Sequence, residues 1–585
     1  MAALASPPDA PLGALAPRRE FLQHIGAWGA AALAAPALQA CRHSQAQNLS
    51  PEKLAFLHGV ASGDPGRDSV VLWTRVTPLQ ALEPGQEIWL DWRIARDPEM
   101  LQLAGSGSVA TSAAQDFTVK LEALGLQPGQ TYYYSFSAPA QGAQAARHSP
   151  RGRTRTLPAH DVAQVKLAVL SCSNFPAGYF NVYQDCARQT ELDAVLHLGD
   201  YIYEYGADGY ASARAEQLGR VAAPAHELQS LEDYRQRYAQ YRSDPDLQAL
   251  HAAAPFICIW DDHEFADDTW RDGAQEHDNG SQGPFALRRA AAAQAWQEWL
   301  PVRTPDMDKI WRSFDFGGLL SLYMLDTRLA GRDQQLQFAS YVNAQGKLDL
   351  ARLRRDARAA RRRMLGREQF EWLQSRLQNS SARWQVLGQQ VLMARMEFPL
   401  SVACGEQDRL DWWRDVQQAQ RDGASVKAHA LLHAPRAPCY LDSWDGYQAE
   451  RERLYSLMQG HGKNLISLAG DTHNAWASDL QDEAGRAVGV EFATASVSSP
   501  GLESSYQESA ALAACMQAML PTLRYAQTSL RGYMLLTVSA HEAECAWRFV
   551  DTVHTRQFSA HTGKVLRVLH GQGKISPAAG QDAIS

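Results

Sequence analysis

The chain has 585 residues, of which 45% are hydrophobic and 21% are charged. This composition is typical of a globular protein, and the length predicts two or more domains because it exceeds what one ordinary core encloses. The formal net charge of −8 gives no electrostatic support for specific nucleic-acid binding. No apolar run reaches the length of a membrane span, so we expect no transmembrane segment in the mature protein.

The first segment of the chain resembles an export signal. Arg18 and Arg19 stand just before a weakly apolar, alanine-rich run that ends near residue 40. This order resembles a twin-arginine signal, which we assign to residues 1–41. It implies the twin-arginine export machinery as a partner and a periplasmic or extracellular location. The alternative interpretation is an amphipathic surface helix.

Eight cysteines are spread along the chain without a close CxxC pair, so a zinc ribbon is not expected. Export would bring them to a compartment where disulfides form. Cys404 and Cys439 are one candidate pair, although the connectivity does not follow from the sequence. The residues before Cys41 match a lipoprotein cleavage box poorly at Gln39, so lipidation of Cys41 is a minor alternative.

Residues 55–155 have the pattern of a small β-sandwich domain. Short runs of β-branched and aromatic residues alternate with turns that contain Pro and Gly, and no helical period is visible. The predicted strands cover 70–76, 87–94, 117–124 and 131–136. A basic stretch at 147–155 is interpreted as the linker to the next domain.

The pattern changes to a layered α/β domain over residues 160–555. Apolar strands separated by long helical stretches favour this class of fold. The predicted strands cover 165–170, 192–198, 255–260, 319–325, 384–387 and 464–469, and a charged helical stretch covers 350–377. Residues 556–585 are interpreted as a C-terminal tail.

Short polar clusters follow four of these apolar strands. Because the carboxyl ends of parallel strands meet at one edge of a sheet, we expect the clusters to converge. They supply a thiol, a phenol, carboxylates and imidazoles from Cys172, Asp200, Tyr203, Asp262, His263, Asp471 and His473. Each residue alone is more often structural, but four such strand ends together predict a ligand site.

This set of groups suits a phosphoesterase that uses two cations. Two cations can neutralise phosphate oxygens and lower the pKa of a bridging water. Asp200 can offer an oxygen to each of them. A thiolate and a phenolate, from Cys172 and Tyr203, favour oxidised iron, whereas a site made only of aspartates favours calcium.

Three blocks of the sequence resemble those of the calcineurin-like metallophosphoesterases, and the set is most similar to the PhoD-type alkaline phosphatase/phosphodiesterase family. The blocks are Gly199-Asp200-x-x-Tyr203, Asp261-Asp262-His263-Glu264 and Gly470-Asp471-x-His473. The resemblance covers about residues 56–555. It implies a four-layer αββα catalytic domain of the α/β class, preceded by a small all-β sandwich, with Fe³⁺ and Ca²⁺ in the active site.

The resemblance also implies the ligands. Fe³⁺ would be held by Cys172, Asp200, Tyr203 and His473, and Ca²⁺ by Asp200, Asp262 and Asp471. The chain departs from the wider superfamily at three positions: an Asn is usual at 262, a His at 471 and an Asp at 172. The first two changes add carboxylate oxygen, which suits calcium.

Further residues are assigned to catalysis or to substrate. His263 is expected near the leaving-group oxygen as a proton donor, or alternatively as a hydrogen-bond partner of a metal ligand. Arg328 is expected to grip phosphate with its guanidinium, or alternatively to form a surface ion pair with Asp326. Asn174 and Gln390 are expected to face the substrate.

The predicted function is therefore an exported, metal-dependent phosphoesterase that acts on phosphomonoesters, and also on phosphodiesters, at alkaline pH. Its substrates would be small or polymeric phosphate esters. One alternative is a phospholipase D-like or nucleotide-ester phosphodiesterase. Another is a non-catalytic envelope binding protein that keeps a degenerate site.

Overall fold

The computed structural model describes residues 49–577, except residues 143, 305, 463 and 507. The predicted export signal at 1–41 and Cys41 lie outside this range. Within it, no helix combines the length and the hydropathy that crossing a membrane requires.

The strands of the N-terminal third are short and mostly antiparallel. They are β1 (Leu54–Ala55), β2 (Val60–Gly63), β3 (Ser69–Arg75), β4 (Thr77–Pro78), β5 (Ile88–Ala95), β6 (Leu103–Thr111), β7 (Thr118–Leu124), β8 (Thr131–Ala138), β9 (Arg147–His148) and β10 (Gly152–Arg155).

The strands of the middle and the C-terminal third alternate with helices. They are β11 (Gln164–Leu170), β12 (Ala194–His197), β13 (Phe256–Cys258), β14 (Arg312–Phe316), β15 (Leu320–Met324), β16 (Trp384–Gly388), β17 (Glu397–Pro399), β18 (Arg436–Pro438), β19 (Asn464–Ala469), β20 (Ala475–Gln481), β21 (Ala487–Ala493), β22 (Leu523–Gln527), β23 (Arg531–Ser539), β24 (Glu542–Val550), β25 (Ala560–Leu569) and β26 (Ile575–Pro577).

The α-helices are numbered in chain order. They are α1 (Asn181–Ala187), α2 (Ala215–Leu218), α3 (Leu231–Arg242), α4 (Pro245–Ala253), α5 (Phe285–Trp299), α6 (Leu350–Ala357), α7 (Gly366–Asn379), α8 (Leu400–Ala403), α9 (Arg409–Arg421), α10 (Ser425–Leu432), α11 (Gln448–Gly460) and α12 (Ser509–Met519).

Two large mixed sheets form the centre of the fold. The first has the strand order β26-β25-β24-β23-β11-β12-β13-β2-β3-β7, and the second β14-β15-β16-β19-β21-β20-β22. β11, β12 and β13 run parallel in the first sheet, and β15, β16, β19 and β21 run parallel in the second. The six predicted apolar strands correspond to these parallel strands other than β21, and such strands are buried on both faces.

Alternating side chains place the two sheets face to face. Leu322 of β15 and Val386 of β16 share one core with Val169 of β11 in the other sheet. The intervening residues Tyr323 and Leu387 pack instead with helices α7 and α11. Helices α1, α3, α4 and α5 pack on the first sheet. The result is the expected αββα order of layers.

The N-terminal strands form the expected β-sandwich, but one of its sheets is shared. A five-stranded sheet of β5, β6, β8, β9 and β10 packs against β2, β3 and β7 through residues such as Leu72 and Tyr134. β2 in turn pairs with β13 at Gly63 and Phe256, so the sandwich continues into the first large sheet. The boundaries 55–155 and 160–555 stay predictions.

The helical stretch predicted at 350–377 is interrupted. α6 ends at Ala357 and α7 begins at Gly366, whose positive φ is incompatible with a continuous helix through this residue. A Cβ atom on Gly331 would lie 2.4 Å from the Cα of Gly366, whose φ is +73°. Only glycine tolerates both the contact and that backbone conformation.

Two further regions differ from the simple expectation. Within the tail predicted at 556–585, β25 and β26 extend the first large sheet. All seven cysteines in the described part of the chain are free, and these include the candidate pair Cys404 and Cys439.

Candidate metal centre

The predicted ligands meet at the carboxyl ends of the parallel strands of both sheets. Four of them have an unusual backbone: φ is +61° at Cys172, +52° at Asp200, +62° at Asp471 and +61° at His473. Residues other than glycine rarely adopt this left-handed conformation, which costs of order 1–3 kcal/mol each and is concentrated at functional sites. The strand ends are therefore bent so that their side chains face one point.

Two residues hold these turns in place. A Cβ atom on Gly199, which has φ of +105°, would lie 2.4 Å from Cβ of Asp261, so the two turns touch. The buried carboxylate of Glu264 accepts hydrogen bonds from the backbone nitrogen of Asp200 at 3.0 Å and of Asp261 at 2.6 Å. Burial raises the pKa of Glu264 to about 8. Glu264 thus ties the end of β12 to the end of β13.

One side of the centre, here called the thiol–phenol half, consists of Cys172, Tyr203 and His473. The Tyr203 hydroxyl lies 3.1 Å from Oδ2 of Asp200 and 3.1 Å from Nε2 of His473. Ligand atoms of Cys172, Asp200 and His473 all lie within 4.8 Å of one another. Ser499 donates a hydrogen bond of 2.7 Å to the Tyr203 hydroxyl. The arrangement brings together the four ligands predicted for iron.

The electrostatics of this half keep it uncharged without a cation. Burial and the neighbouring Asp200 carboxylate raise the pKa of Cys172 and of Tyr203 well above their usual values. Burial lowers the pKa of His473 to about 3. A cation that bound the thiol and the phenol as anions would therefore have to release their protons.

The other side, here called the carboxylate half, consists of Asp261, Asp262 and Asp471. Their carboxylate oxygens also lie within 4.8 Å of one another, and Asp262 forms a second such group with Asp200 and His263. Asp200 therefore lies between the two halves. Of the residues predicted for calcium, Asp262 lies with Asp471 in the first of these groups and with Asp200 in the second.

Arg328 enters the carboxylate half and does not face open solvent. Its guanidinium is fully buried and bonds Asp261 through Nε, Asp442 through Nη1 at 2.9 Å and Asp471 through Nη2 at 3.0 Å. Nη2 also lies 3.4 Å from Asp262. The donors are used by carboxylates, so this geometry supports a counter-charge role rather than the predicted grip on phosphate. The alternative ion pair with Asp326 is also absent, since that carboxylate accepts the backbone nitrogen of Arg328.

Burial and the neighbouring charges shift the pKa values of these carboxylates in opposite directions. Burial would raise the pKa of Asp262, but Arg328 and His263 overcome it and lower the value to about 2. Burial raises the pKa of Asp471 to about 7, and Asp442 adds to this against Arg328. The half therefore offers less negative charge than its three carboxylates would carry in water.

Several carboxylate oxygens have no hydrogen-bond partner. Among the described residues, Oδ1 of Asp200, Oδ2 of Asp261 and Oδ1 of Asp262 are buried in this state. A buried acceptor without a partner is costly, and a cation would satisfy it. This observation and the mixture of thiol, phenol, imidazole and carboxylates fit a centre for two metal ions.

His263 lies at the centre without bonding a predicted ligand. Its Nδ1 lies 2.8 Å from Oε2 of buried Glu204, and its Nε2 lies 3.8 Å from Oδ1 of Asp267. The ring stacks on Tyr203 with 4.2 Å between centroids. Burial lowers the pKa of His263, but Glu204, Asp200 and Asp262 outweigh it and raise the pKa well above the usual value. This geometry favours the proton-donor role over a hydrogen bond to a ligand.

The two residues predicted to face substrate have different surroundings. Asn174 is buried, its Nδ2 donates to the carbonyl of Tyr210 at 3.3 Å, and its Oδ1 has no partner in the described residues. Gln390 donates to the carbonyls of Trp260 and Leu325 and accepts twice from Thr327. Because its amide is saturated, Gln390 has a structural role here and leaves no group for substrate.

Sequence reasoning missed several residues that complete the centre: Glu204, Asp442, Tyr210 and the clamping role of Glu264. Glu204 directly follows Tyr203, so its position in the block was a usable signal. Tyr210, whose hydroxyl lies 3.2 Å from Nδ1 of His473, is placed only by the loop after β12. Asp442 comes from a distant loop, and no local pattern marks it.

Comparison with known proteins identifies the family. The sequence matches the family model described as PhoD-like phosphatase over residues 167–547, and that of the PhoD-like phosphatase N-terminal domain over residues 40–158. The chain belongs to the PhoD-like phosphatase family. It is 34% identical over 558 residues to alkaline phosphatase D of Bacillus subtilis (strain 168), and the match covers 92% of this chain and 85% of that protein.

The fold agrees with this membership. The solved structure of PhoD matches with a TM-score of 0.73 and 30% identity, over 93% of this chain and 94% of that one. This PhoD-like protein is thus a phosphatase, a hydrolase that acts on phosphate esters, and its clustered acidic groups are suited to binding metal. The alternative of a non-catalytic binding protein is not supported.

Proposed function

We propose that this PhoD-like phosphatase is exported and hydrolyses phosphomonoesters and phosphodiesters, with Fe³⁺ in the thiol–phenol half and Ca²⁺ in the carboxylate half. The observation that carries the proposal is that two different sets of ligands lie on either side of Asp200, which has a buried oxygen free of partners. Thiolate and phenolate favour oxidised iron, whereas carboxylates alone favour calcium.

The protein groups have distinct tasks in this proposal. When bound, the two cations would neutralise phosphoryl oxygens and make water a stronger nucleophile. Asp200 offers one carboxylate oxygen to each half. His263 is held through Nδ1 by Glu204, so Nε2 is the nitrogen that gives a proton to the leaving oxygen. Arg328 forms hydrogen bonds with three of the surrounding carboxylates and does not contact the ester.

The proposal includes diesters because both ester classes make the same demands. Each needs its phosphoryl charge neutralised and its leaving oxygen protonated. Asp200, through the cations that it would hold, serves the first demand, and His263 serves the second.

The test is a metal analysis of purified, natively exported protein, with activity towards a monoester and a diester measured on the same preparations. We expect iron and calcium in every active preparation, and a parallel loss of both activities when the metals are removed. Preparations that contain only zinc, or that hydrolyse monoesters alone, would contradict the proposal.

Export is tested by replacing both arginines of the signal, Arg18→Lys with Arg19→Lys. We expect the precursor to remain in the cytoplasm, whereas Arg67→Lys, in the folded domain, leaves export unchanged. Normal export of the double variant would remove the targeting part of the proposal.

A further inference from the structure

Helix α3 carries two fully buried arginines with contrasting surroundings. Arg237 donates hydrogen bonds to four backbone carbonyls, those of Tyr203, Tyr205, Ala223 and Pro224. Arg242, which is 0% exposed, bonds only one carbonyl, that of His58 through Nη2 at 3.2 Å, and its guanidinium also acts on the Tyr201 side chain, whose pKa it lowers against burial. Its guanidinium lies over the Trp73 ring, 4.3 Å from the centroid. Its Nε and Nη1 have no partner in the described part of the chain.

Arg242 also differs from most of the other buried arginines in its charge balance. Arg237 likewise forms no ion pair in the described residues, but four carbonyl oxygens surround its guanidinium. Arg328 and Arg332 bond the carboxylate of Asp442, and Arg451 bonds that of Asp445 at 2.7 Å. No carboxylate in residues 49–577, outside the four undescribed positions, forms an ion pair with Arg242. An arginine keeps its charge at every physiological pH, and a buried charge without a counter-charge is strongly unfavourable.

Other polar groups near Arg242 are equally unsatisfied. Nδ1 of His58, Oγ of Ser62, the hydroxyl of Tyr134 and Nδ1 of His251 are buried without a well-formed hydrogen bond among the described residues, although the Ser62 hydroxyl is close enough to Tyr134 to lower its pKa. Arg242 lies close enough to affect three of these groups: burial lowers the pKa of His58 and of His251 and raises that of Tyr134, and the guanidinium pushes all three pKa values down.

These groups come from elements that meet at one place. Ser62 lies on β2 and Tyr134 on β8, in the N-terminal sandwich, whereas His251 lies on α4 of the catalytic region. His251 accepts or donates through Nε2 with the hydroxyl of Tyr201 at 2.9 Å, so its Nδ1 is the nitrogen left over. Tyr201 directly follows Asp200. The cluster therefore lies beneath the turn that carries the shared metal ligand.

We propose that Arg242, with Tyr134, Ser62 and the two imidazoles, encloses a small monovalent anion of the halide class, chloride under physiological conditions. Ordered water would satisfy the hydrogen bonds but would leave the guanidinium charge without compensation. A monoatomic anion compensates the charge and accepts hydrogen bonds from several directions at once. The site is distinct from the metal centre.

The first test compares thermal unfolding of the full-length protein in sodium bromide and in sodium gluconate, at equal ionic strength and pH. We expect the wild-type midpoint to rise with bromide and to saturate, by about 2 °C or more, because a ligand that binds only the folded state raises its stability. Arg242→Met removes the bromide dependence, whatever its own midpoint. Tyr134→Phe reduces it, whereas Tyr455→Phe, a buried phenol in another core, keeps it.

The second test does not depend on a variant that folds. Crystals of the wild type grown with bromide should show an anomalous peak within about 3.5 Å of Nε or Nη1 of Arg242, at hydrogen-bonding range. Equal midpoints in bromide and gluconate, or water alone at this place in the bromide crystal, would overturn the proposal.

Discussion

The two halves of the metal centre solve the problem of burying ligands in opposite ways. In the thiol–phenol half, burial keeps Cys172 and Tyr203 protonated and His473 neutral, so no charge needs compensation until a cation binds. In the carboxylate half, Asp262 stays ionised at a pKa of about 2 because Arg328 already supplies positive charge. Without metal, the ligands of the thiol–phenol half are uncharged, whereas Arg328 already compensates negative charge in the carboxylate half.

The two halves should therefore respond differently to loss of metal. A cation in the thiol–phenol half must displace protons, and the resulting thiolate and phenolate hold it tightly. A cation in the carboxylate half meets ligands that share their charge with Arg328. We therefore expect calcium to leave and return more readily than iron.

The largest effect is expected from Asp200→Asn, because this residue belongs to both halves. Weakening one ligand shared by two cations should lower the content of both metals. Since the cations supply several kcal/mol of transition-state stabilisation, kcat/KM should fall at least about 10³-fold. Metal content and kinetics are measured on one preparation. Asp244→Asn, which alters a buried carboxylate bonded to Arg220, is the control and should keep both metals.

His263→Ala should leave both halves intact and still slow the reaction. A positioned acid contributes about 10²–10⁴-fold, so kcat should fall by that amount while metal content stays unchanged. The loss should be smaller for nitrophenyl esters, which need little protonation, than for alkyl esters. An equal loss for all esters, together with depleted metal, would show that His263 supports the ligands instead.

Arg328→Met should show how far Arg328 compensates the negative charge of the carboxylate half before a cation binds. Removing one partner of a buried charge network costs about 3–5 kcal/mol, so the free energy of unfolding of the metal-free protein should fall by that amount. Added calcium should then restore more stability than it adds to the wild type. Arg451→Met, which breaks a buried pair with Asp445 elsewhere, should be destabilised without rescue by calcium. Equal rescue of both variants would argue against the role of Arg328.

The smallest effect is expected from Ser499→Ala, which touches only the thiol–phenol half. It removes the 2.7 Å hydrogen bond to Tyr203 and should lower stability by about 0.5–1.5 kcal/mol. The visible band of a ferric phenolate should shift, while calcium content stays constant. Ser498→Ala, whose hydroxyl bonds the carbonyl of Asn174, is the matched control and should leave the band unchanged.

The layered fold could be predicted because its parallel strands are buried on both faces and therefore form continuous apolar runs. β11, β16 and β19 lie within a residue of their predicted bounds. The break between α6 and α7 could not be predicted, since it depends on the contact of Gly366 with Gly331. Nor could the continuation of the sandwich into the first large sheet, which depends on pairing between β2 and β13 far apart in sequence.

The predicted ligands share a local signal, because each lies within a few residues of the end of a strand. The role of Arg328 does not follow from this local signal. Its place after β15 marks it as part of the centre, but its partners decide that it faces carboxylates, and one of them, Asp442, comes from a distant loop. The free thiols of Cys404 and Cys439 and the saturated amide of Gln390 likewise depend on long-range contacts.

The most direct test of the two-part centre is the metal content of Cys172→Ser beside that of Asp262→Asn. Iron and calcium are determined in both variants and in the wild type, before and after exposure to a calcium chelator. We expect Cys172→Ser to lose iron and keep calcium, Asp262→Asn to lose calcium and keep iron, and chelation followed by calcium alone to restore wild-type turnover. Equal loss of both metals in each variant, or full recovery with zinc, would contradict this expectation.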